Sequence, residues 1–288
     1  MLDYPNLAAL AAVHRRGSFD LAAAQLGLTP SAVSQRIKAL EDRIGALLIL
    51  RGQPCRATEM GLRLIQHHDE VMLLEAALPL PDPRPTTVRI AVNADSLATW
   101  VIPALAATEG LLFDIVIDDQ DVSQEWLRRG EVAAAITSHP GPLQGCDTHP
   151  LGHLRYLATA SPGFIARWLP EGPDRISMAR APALTFSDND RLQTDWLAQN
   201  IGGGLAFPTH RIASSQGFVD AALAGLGWGM NPLPLVADLI AEGRLVALLP
   251  GAHLDVPLHW QLARRTAPAL SGLTRTLIRT AARQLLPP

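Results

Sequence analysis

Four prolines stand within LPLPDPRPTT, residues 78–87. Proline fixes φ and has no amide donor, so so dense a run enters neither a helix interior nor an inner strand. The segment reads as a hinge or linker, and it divides the chain. Before it the apolar spacing is helical almost throughout; after it, strand-like and helix-like stretches alternate. A chain of 288 residues is also longer than one ordinary core requires. The expected division is a first domain over 1–58, a linker helix and hinge over 59–87, and a second domain over 88–288.

The second part opens with TTVRIAVNADSLATWVIPAL. Val88, Ile90 and Val92 alternate with less apolar neighbours as a strand does, and a helix follows with Asp95 or Ser96 as its expected N-cap. LFDIVID, EVAAAIT, APALTF, HRIAS, GWGMN, RLVALL and VPLHWQLARR are further strand candidates, with helix candidates between most of them. ALSGLTRTLIRTAARQLL closes the chain as a helix. Repeated βα units predict a mainly parallel sheet with helices on both faces. About 200 residues of this pattern exceed the needs of one sheet, which points to two lobes.

The first part holds LTPSAVSQRIKALEDRIG, residues 28–45, with Lys38, the only lysine in the chain. Thr29 before Pro30 marks a helix start, because threonine caps and proline at the first helical position forfeits no hydrogen bond. Val33, Ile37, Leu40 and Ile44 then form one apolar stripe. Ser31, Ser34, Gln35 and Lys38 share a different face. Upstream, SFDLAAAQLG reads as a short helix with Ser18 as N-cap, Ala22, Ala23 and Leu26 turned inward, and Gly27 as its end. A helix, a tight glycine turn and a second helix with an exposed polar face make a helix-turn-helix. Its second helix can enter the major groove of double-stranded DNA. A plain helical hairpin would show a solvated mixture of Glu and Lys; this face shows groove-sized hydroxyls and an amide. Arg15 and Arg16 precede it, and Arg51 and Arg56 follow it in LLILRGQPCRAT, which reads as a two-stranded wing with Gly52 near its turn. The formal net charge of −3 advertises no basic tail, but a global balance can hide a local patch.

GSFDLAAAQLGLTPSAVSQRIKALEDRIGALLILR resembles the winged helix-turn-helix of the LysR-type transcriptional regulators. TPSAVSQRIKALE, PCRAT, AVNADSLATW, LRRGEVAAAI and SSQGFVDAALAG resemble the arginine- and lysine-responsive branch of ArgP/LysG type, so the likeness runs through nearly the whole chain. It implies a fold class: a helical domain with a wing, then an α/β effector domain of two lobes like a type 2 periplasmic binding protein. It also implies a small effector between the lobes and a homodimer or tetramer formed through linker helix and effector domain. RNA polymerase as a further partner, and activation of a lysine or arginine exporter gene, follow from the same resemblance.

In such a domain Ser31, Ser34 and Gln35 are the expected base readers, a Gln–adenine pair discriminating by about 1–3 kcal/mol. Arg36 faces base or backbone. Lys38, one turn beyond Gln35, reaches a phosphate, a contact that sets position and affinity but carries no sequence information. Arg51 and Arg56 lie along the backbone or minor groove. Ser18, Thr29 and Pro30, at the two helix starts, complete the set placed against DNA.

In open α/β sheets ligands bind beyond the carboxyl ends of strands. Those ends are Asn93 to Ser96, Asp118 to Asp121, Thr137 to His139, Ser187 to Asp190, Ser214 to Gln216, and Asn231. Hydroxyls and amides at helix starts (Ser96, Thr137, Ser138, Ser214, Ser215) suit an α-carboxylate. Carboxylates (Asp95, Asp118, Asp119, Asp121, Asp188, Asp190) suit a cation. Together with the resemblance they describe a basic amino acid, lysine or arginine. The expected arrangement places the α-carboxylate at Ser96 and Thr137, and the side-chain cation at Asp118, Asp119 or Asp190. Trp100 fits one wall of such a cleft, but a helix core position is the first reading.

No phosphate loop, nucleophile elbow or metal-spaced cluster appears, IGGGLAF reads as a turn, and no enzyme and no cofactor are expected. Pyridoxal chemistry needs a Schiff-base lysine, and the one lysine sits on the polar face. His67 and His68 are consecutive and point apart, so they form no metal pair. A solute-binding receptor leaves the first 80 residues unused, and a nucleoid protein needs no two-lobed cleft. Cys55 and Cys146 make no disulfide framework, no signal peptide or membrane-length apolar run is read, and a cytoplasmic location is expected with no membrane partner.

TEMGLRLIQHHDEVMLLEAAL continues as a helix capped by Thr58. Leu62, Ile65, Val71, Leu74 and Leu78 leave a stripe too long for one short domain to cover, which suits pairing with a second subunit. Leu74→Glu is therefore expected to sediment as a smaller species and to lose the footprint over two half-sites about one helical turn, or a multiple of it, apart. Parent-like sedimentation with an unchanged footprint would remove the linker from the dimer.

Overall fold

A computed structural model describes residues 2–78, 85–118, 123–141 and 143–288, without the side chains of 118, 123 and 124. Most of the proline-rich segment, residues 79–84, lies outside the described residues.

The chain begins with α1 (Tyr4–Arg16), α2 (Phe19–Leu26), α3 (Pro30–Ile44), β1 (Ile49–Leu50) and β2 (Arg56–Ala57). Leu7, Leu10 and Val13 of α1, Ala22 and Ala23 of α2, and Val33, Ile37 and Leu40 of α3 are buried in one core. Alanines at the contact let α2 approach α1 and α3 closely. Thr29 caps α3, its Oγ1 accepting the Ala32 amide at 3.2 Å. Ser18 starts α2 by its extended backbone and makes no capping hydrogen bond. Gly17 ends α1 in the left-handed region at φ 66°. A Cβ there would stand 2.7 Å from Cβ of Pro54, so the joint between α1 and the wing admits only glycine.

The helix α4 (Glu59–Ala76) follows. Thr58 caps it, accepting the Gly61 amide at 3.1 Å and donating to the Leu47 carbonyl at 2.9 Å. It buries Ile65 in the first core and Leu73 in the second, while Leu74 and Leu78 are exposed.

Beyond it run β3 (Thr86–Asn93), α5 (Ala94–Ser96), a π turn over Leu97–Val101, α6 (Ile102–Ala106), β4 (Leu111–Asp118), α7 (Ser123–Arg128) and β5 (Ala134–Thr137). Next come β6 (Cys146–Ala160), α8 (Pro162–Trp168), α9 (Arg175–Met178), β7 (Ala183–Thr185), α10 (Leu192–Asn200), β8 (Thr209–Arg211), α11 (Ser215–Leu223) and β9 (Gly229–Pro232). The chain closes with α12 (Leu233–Ala241), β10 (Val246–Ala247), β11 (His253–Ala263) and α13 (Ser271–Gln284). One sheet has the order β10-β6-β11-β5-β3-β4, with β9 also paired to β6; β7 and β8 form a separate parallel pair. One lobe holds β3, β4 and β5; the other holds β7 to β10. A single core, with Trp100 and Trp260 on one side and Trp196 and Trp228 on the other, runs through both. No described helix is long and apolar enough to cross a membrane.

Two expectations need correction. The sheet is mixed rather than mainly parallel: β3 is parallel to β4 and β5, but β11 is antiparallel to β5 and β6, and β6 to β9 and β10. The chain leaves the first lobe on β6 and returns on β11, and opposite crossings make an antiparallel pair. The strand β6 itself, the longest in the fold, was absent from the sequence reading. Pro150 and Gly152 interrupt its alternation; the register shifts there, between Leu258 and His259 of β11. The second correction is the helix after β3. It starts at Ala94 with Asn93 as N-cap, so Asp95 and Ser96 lie inside it.

Gly17→Ala and Gly27→Ala both force alanine into a left-handed backbone, but only Gly17 faces Pro54; nothing stands within 4 Å of a Cβ at Gly27. Gly17→Ala is expected to lose at least about 1 kcal/mol more than Gly27→Ala in chemical denaturation. Equal losses would remove the packing argument.

Candidate functional site

Burial of Val33, Ile37 and Leu40 turns the opposite face of α3 outward. Ser31, Gln35 and Lys38 are exposed, and Ser34 and Arg36 are half-buried. The Ser31 hydroxyl lies 3.0 Å from Thr29 Oγ1, so the start of α3 carries linked hydroxyls. Lys38 meets no acidic partner among the described residues, as suits a cation kept for a phosphate. The wing pairs Ile49 with Ala57 and Leu50 with Arg56. Arg51 lies over the Phe19 ring at 5.2 Å, fixing the wing against the start of α2. His14 Nδ1 accepts the Ala57 amide at 3.2 Å. Burial, then the charges of Arg89, Arg15 and Arg56, push the His14 pKa down, which keeps the imidazole neutral and able to accept. Arg51 and Arg56 are both exposed beside α3's domain.

A cleft lies between the lobes of the second domain. Asn93, Ala94 and Asp95 line it from one side; Phe186, Asp190, Leu192, Ser215, Phe218, Met230, Asn231 and Pro232 line it from the other. Asp95 Oδ2 accepts from the Tyr156 hydroxyl at 2.8 Å, and Oδ1 from the Ser215 hydroxyl at 2.6 Å. Asp190 accepts the amides of Phe186 at 2.8 Å and Leu192 at 3.1 Å. Asn231 donates to Thr159 Oγ1 at 3.0 Å, which leaves its Oδ1, like that of Asn93, buried without a partner. The polar chemistry is therefore acceptor-rich, and the aromatic and aliphatic side chains supply an apolar wall.

Residues 5–62 match the model of the bacterial regulatory helix-turn-helix protein, lysR family, and residues 81–286 that of the LysR substrate binding domain. The chain belongs to the LysR family. Among curated relatives, the HTH-type transcriptional regulator LysG of Mycobacterium tuberculosis is 43% identical over 281 residues, 96% of this chain and 92% of the relative. Among solved structures, ArgP from Mycobacterium tuberculosis is 41% identical, covers all of both chains and superposes with a TM-score of 0.81. Full-length LysG from Corynebacterium glutamicum with bound effector Arg is 33% identical over 99% of this chain and all of that one, with a TM-score of 0.69. This LysR-family chain is thus a transcriptional regulator with a helix-turn-helix domain for DNA and a substrate binding domain.

Its cleft unites some of the expected residues and not others. Asn93, Asp95, Asp190 and Ser215 line it together. Ser96 does not: it is fully buried within the helix, and no helix starts there. Thr137 is likewise fully buried, its Oγ1 accepting the His139 amide at 3.2 Å, and neither it nor Ser138 is among the lining residues. Ser214 caps α11 through the Gly217 amide at 3.1 Å. Asp188 pairs with Arg211 of β8. The side chain of Asp118, and Asp119 and Asp121 altogether, lie outside the described residues. Sequence reasoning missed Tyr156, Phe186, Phe218 and Met230. Tyr156 was hidden with the unread strand β6, and aromatic and thioether side chains on their own carry no signal that separates a ligand wall from a core.

The polar face of α3 yields a prediction. Gln35→Ala is expected to weaken binding selectively at the true operator, while Lys38→Ala weakens all sequences alike and lowers the salt slope by about one unit. Fluorescence anisotropy on operator and random duplexes measures both; equal effects of the two changes on random DNA would contradict the base-reading assignment.

Proposed function

We propose that this LysR-family regulator reads an operator with α3, through Ser31, Ser34 and Gln35, and changes its activity when lysine or arginine occupies the cleft. The observation that carries the reading is the cleft's acceptor excess: two carboxylates, Asp95 and Asp190, and two buried amide oxygens without partners, on Asn93 and Asn231. A ligand with two cationic centres suits such a lining; one that brings no donors leaves the Asn93 and Asn231 oxygens desolvated and unpaired. Phe186, Leu192, Phe218 and Met230 suit the aliphatic stem between the centres. The bound Arg of the Corynebacterium glutamicum relative supports the same class. Assembly into a homodimer or tetramer is supported by the exposed Leu74 and Leu78 on α4. The ArgP/LysG resemblance supports an exporter of basic amino acids as the regulated gene and RNA polymerase as a partner. To act, the ligand must favour one arrangement of the assembly over another, because equal affinity for both shifts nothing.

Titration calorimetry on the full chain tests the ligand class. Lysine and arginine are expected to saturate the protein, and norleucine, which keeps the stem and lacks the ammonium, to bind at least about a hundredfold more weakly, at ~1.4 kcal/mol per decade. Saturation by an acidic or aromatic ligand with no heat from either basic amino acid would overturn the reading.

A further inference from the structure

The wing is too small to place itself. Its strands β1 and β2 hold two residues each, and a two-stranded hairpin on its own is marginal in water. Ile49 and Ala57 face each other across it, and the amides of such a pair point out of the ladder. Side chains of the helices behind take both. On one edge Oε1 of Glu41, in the last turn of α3, accepts the Leu48 amide at 2.8 Å and the Ile49 amide at 3.3 Å. On the other edge Nδ1 of His14, in the last turn of α1, accepts the Ala57 amide at 3.2 Å.

Backbone bonds hold the wing elsewhere. The Cys55 amide donates to the Gly17 carbonyl at 2.8 Å, and the Thr58 amide to the Leu48 carbonyl at 2.9 Å. The first ties the wing to the turn before α2, and the second closes its two arms. Glu41 is the group that ties it to α3 itself. Arg56 stands one residue before Ala57, and Arg51 two residues after Ile49. A slip of one position would carry either arginine about 3.3 Å along its strand and turn it to the other face.

We propose that Glu41 and His14 are positioning residues for DNA binding: as acceptors on opposite edges of the wing, they fix where Arg51 and Arg56 stand relative to α3. The proposal rests on the reading of those arginines as contacts to the DNA backbone, and adds what aims them. Neither acceptor needs to touch DNA. The His14 ring serves only when neutral. Burial and the charges of Arg89, Arg15 and Arg56, against that of Asp69, hold its pKa below the ordinary value.

Fluorescence anisotropy of the full chain on a random-sequence duplex, across a salt series, tests the role. The slope counts phosphate contacts at about one unit each, and a smaller folded fraction shifts the line without changing its slope. Glu41→Ala removes a negative charge from the DNA-reading helix, so charge alone would tighten binding. It is expected instead to lower the slope by about one unit and to bind about tenfold more weakly near ~0.1 M salt. His14→Ala is expected to do the same. Glu41→Gln and His14→Asn, which return an oxygen acceptor to each place, are expected to keep the parent slope. With Arg51→Ala and Arg56→Ala already present, Glu41→Ala and His14→Ala are expected to add nothing. If the two arginine changes alone leave the slope unchanged, the wing makes no phosphate contact and the underlying reading fails. If they lower it while Glu41→Ala and His14→Ala keep it, or if Glu41→Gln and His14→Asn do not restore it, the positioning role is wrong.

Discussion

Eleven residue pairs, from Cys146 and Ala263 at one end to Leu157 and His253 at the other, form the antiparallel ladder between β6 and β11. These two strands carry the chain out of the first lobe and back again, and every other part of the second domain hangs from them. At one end β11 pairs with β5 and so joins the sheet of the first lobe; at the other β6 pairs with β9 and β10 of the second. Arg155 on β6 and Asp255 on β11 form a two-point ion pair at 2.7 Å across the ladder. The hydrogen bonds from Arg155 hold the Asp255 carboxyl below the usual carboxylate range. Gly152 lets the C-terminal segment close on β6, where the His153 amide donates to the Leu286 carbonyl at 2.9 Å and any Cβ at 152 would collide with that carbonyl. Tyr156, fully buried on the same strand, extends its hydroxyl to Asp95. The ladder therefore sets the spacing of the lobes and also positions the carboxylate between them.

The helix α4 links this domain to the DNA-reading one by more than chain continuity. It places Ile65 in one core and Leu73 in the other. Its adjacent acids face opposite ways: Asp69 pairs with Arg15 of α1, and Glu70 with Arg265, just past β11, at 3.2 Å. Burial alone would raise the Asp69 carboxyl; the hydrogen bond from His68 and the charge and hydrogen bond of Arg15 overcome it and hold the pKa below its ordinary value. Gln66 lays its side-chain amide against Gly130 of the second domain, whose φ of 69° lies in the left-handed region that favours glycine. The helix α4 thus touches the second domain through Leu73 and Glu70, and α1, whose His14 accepts the Ala57 amide of the wing, through Asp69. A ligand shifts such a system only by its differential affinity for the two arrangements.

The cleft reverses the usual relation between a buried polar group and its surroundings. Most buried polar atoms in a folded protein have partners, and those that lack one need an explanation. Here two amide oxygens without partners and two carboxylates converge on one cavity. Desolvated amide oxygens without partners cost stability, and on the function proposed above that cost is offset by a donor-rich ligand and becomes discrimination against others.

The local and periodic features of the chain were determined by sequence. Thr29–Pro30 and the stripe from Val33 to Ile44 define α3 because caps and 3.6-residue periodicity act within a few residues. The polar face of that helix, with Lys38 on it, followed from the same geometry, as did the wing, most strands and the strand ends that supplied Asn93, Asp95, Asp190 and Ser215. What sequence left open depends on contacts distant in the chain. The mixed direction of the sheet comes from two crossings more than 90 residues apart, which no local pattern records. β6 escaped because Pro150 and Gly152 read as breakers, and only its pairing with β11 gives them a bulge to occupy. Ser96 and Thr137 were chemically suited to a carboxylate, yet tertiary packing buried both, while it brought Tyr156 and Ser215 to Asp95 from 61 and 120 positions away. Residue type settles which chemistry is available; only the closing of the lobes decides which of those groups face the same cavity.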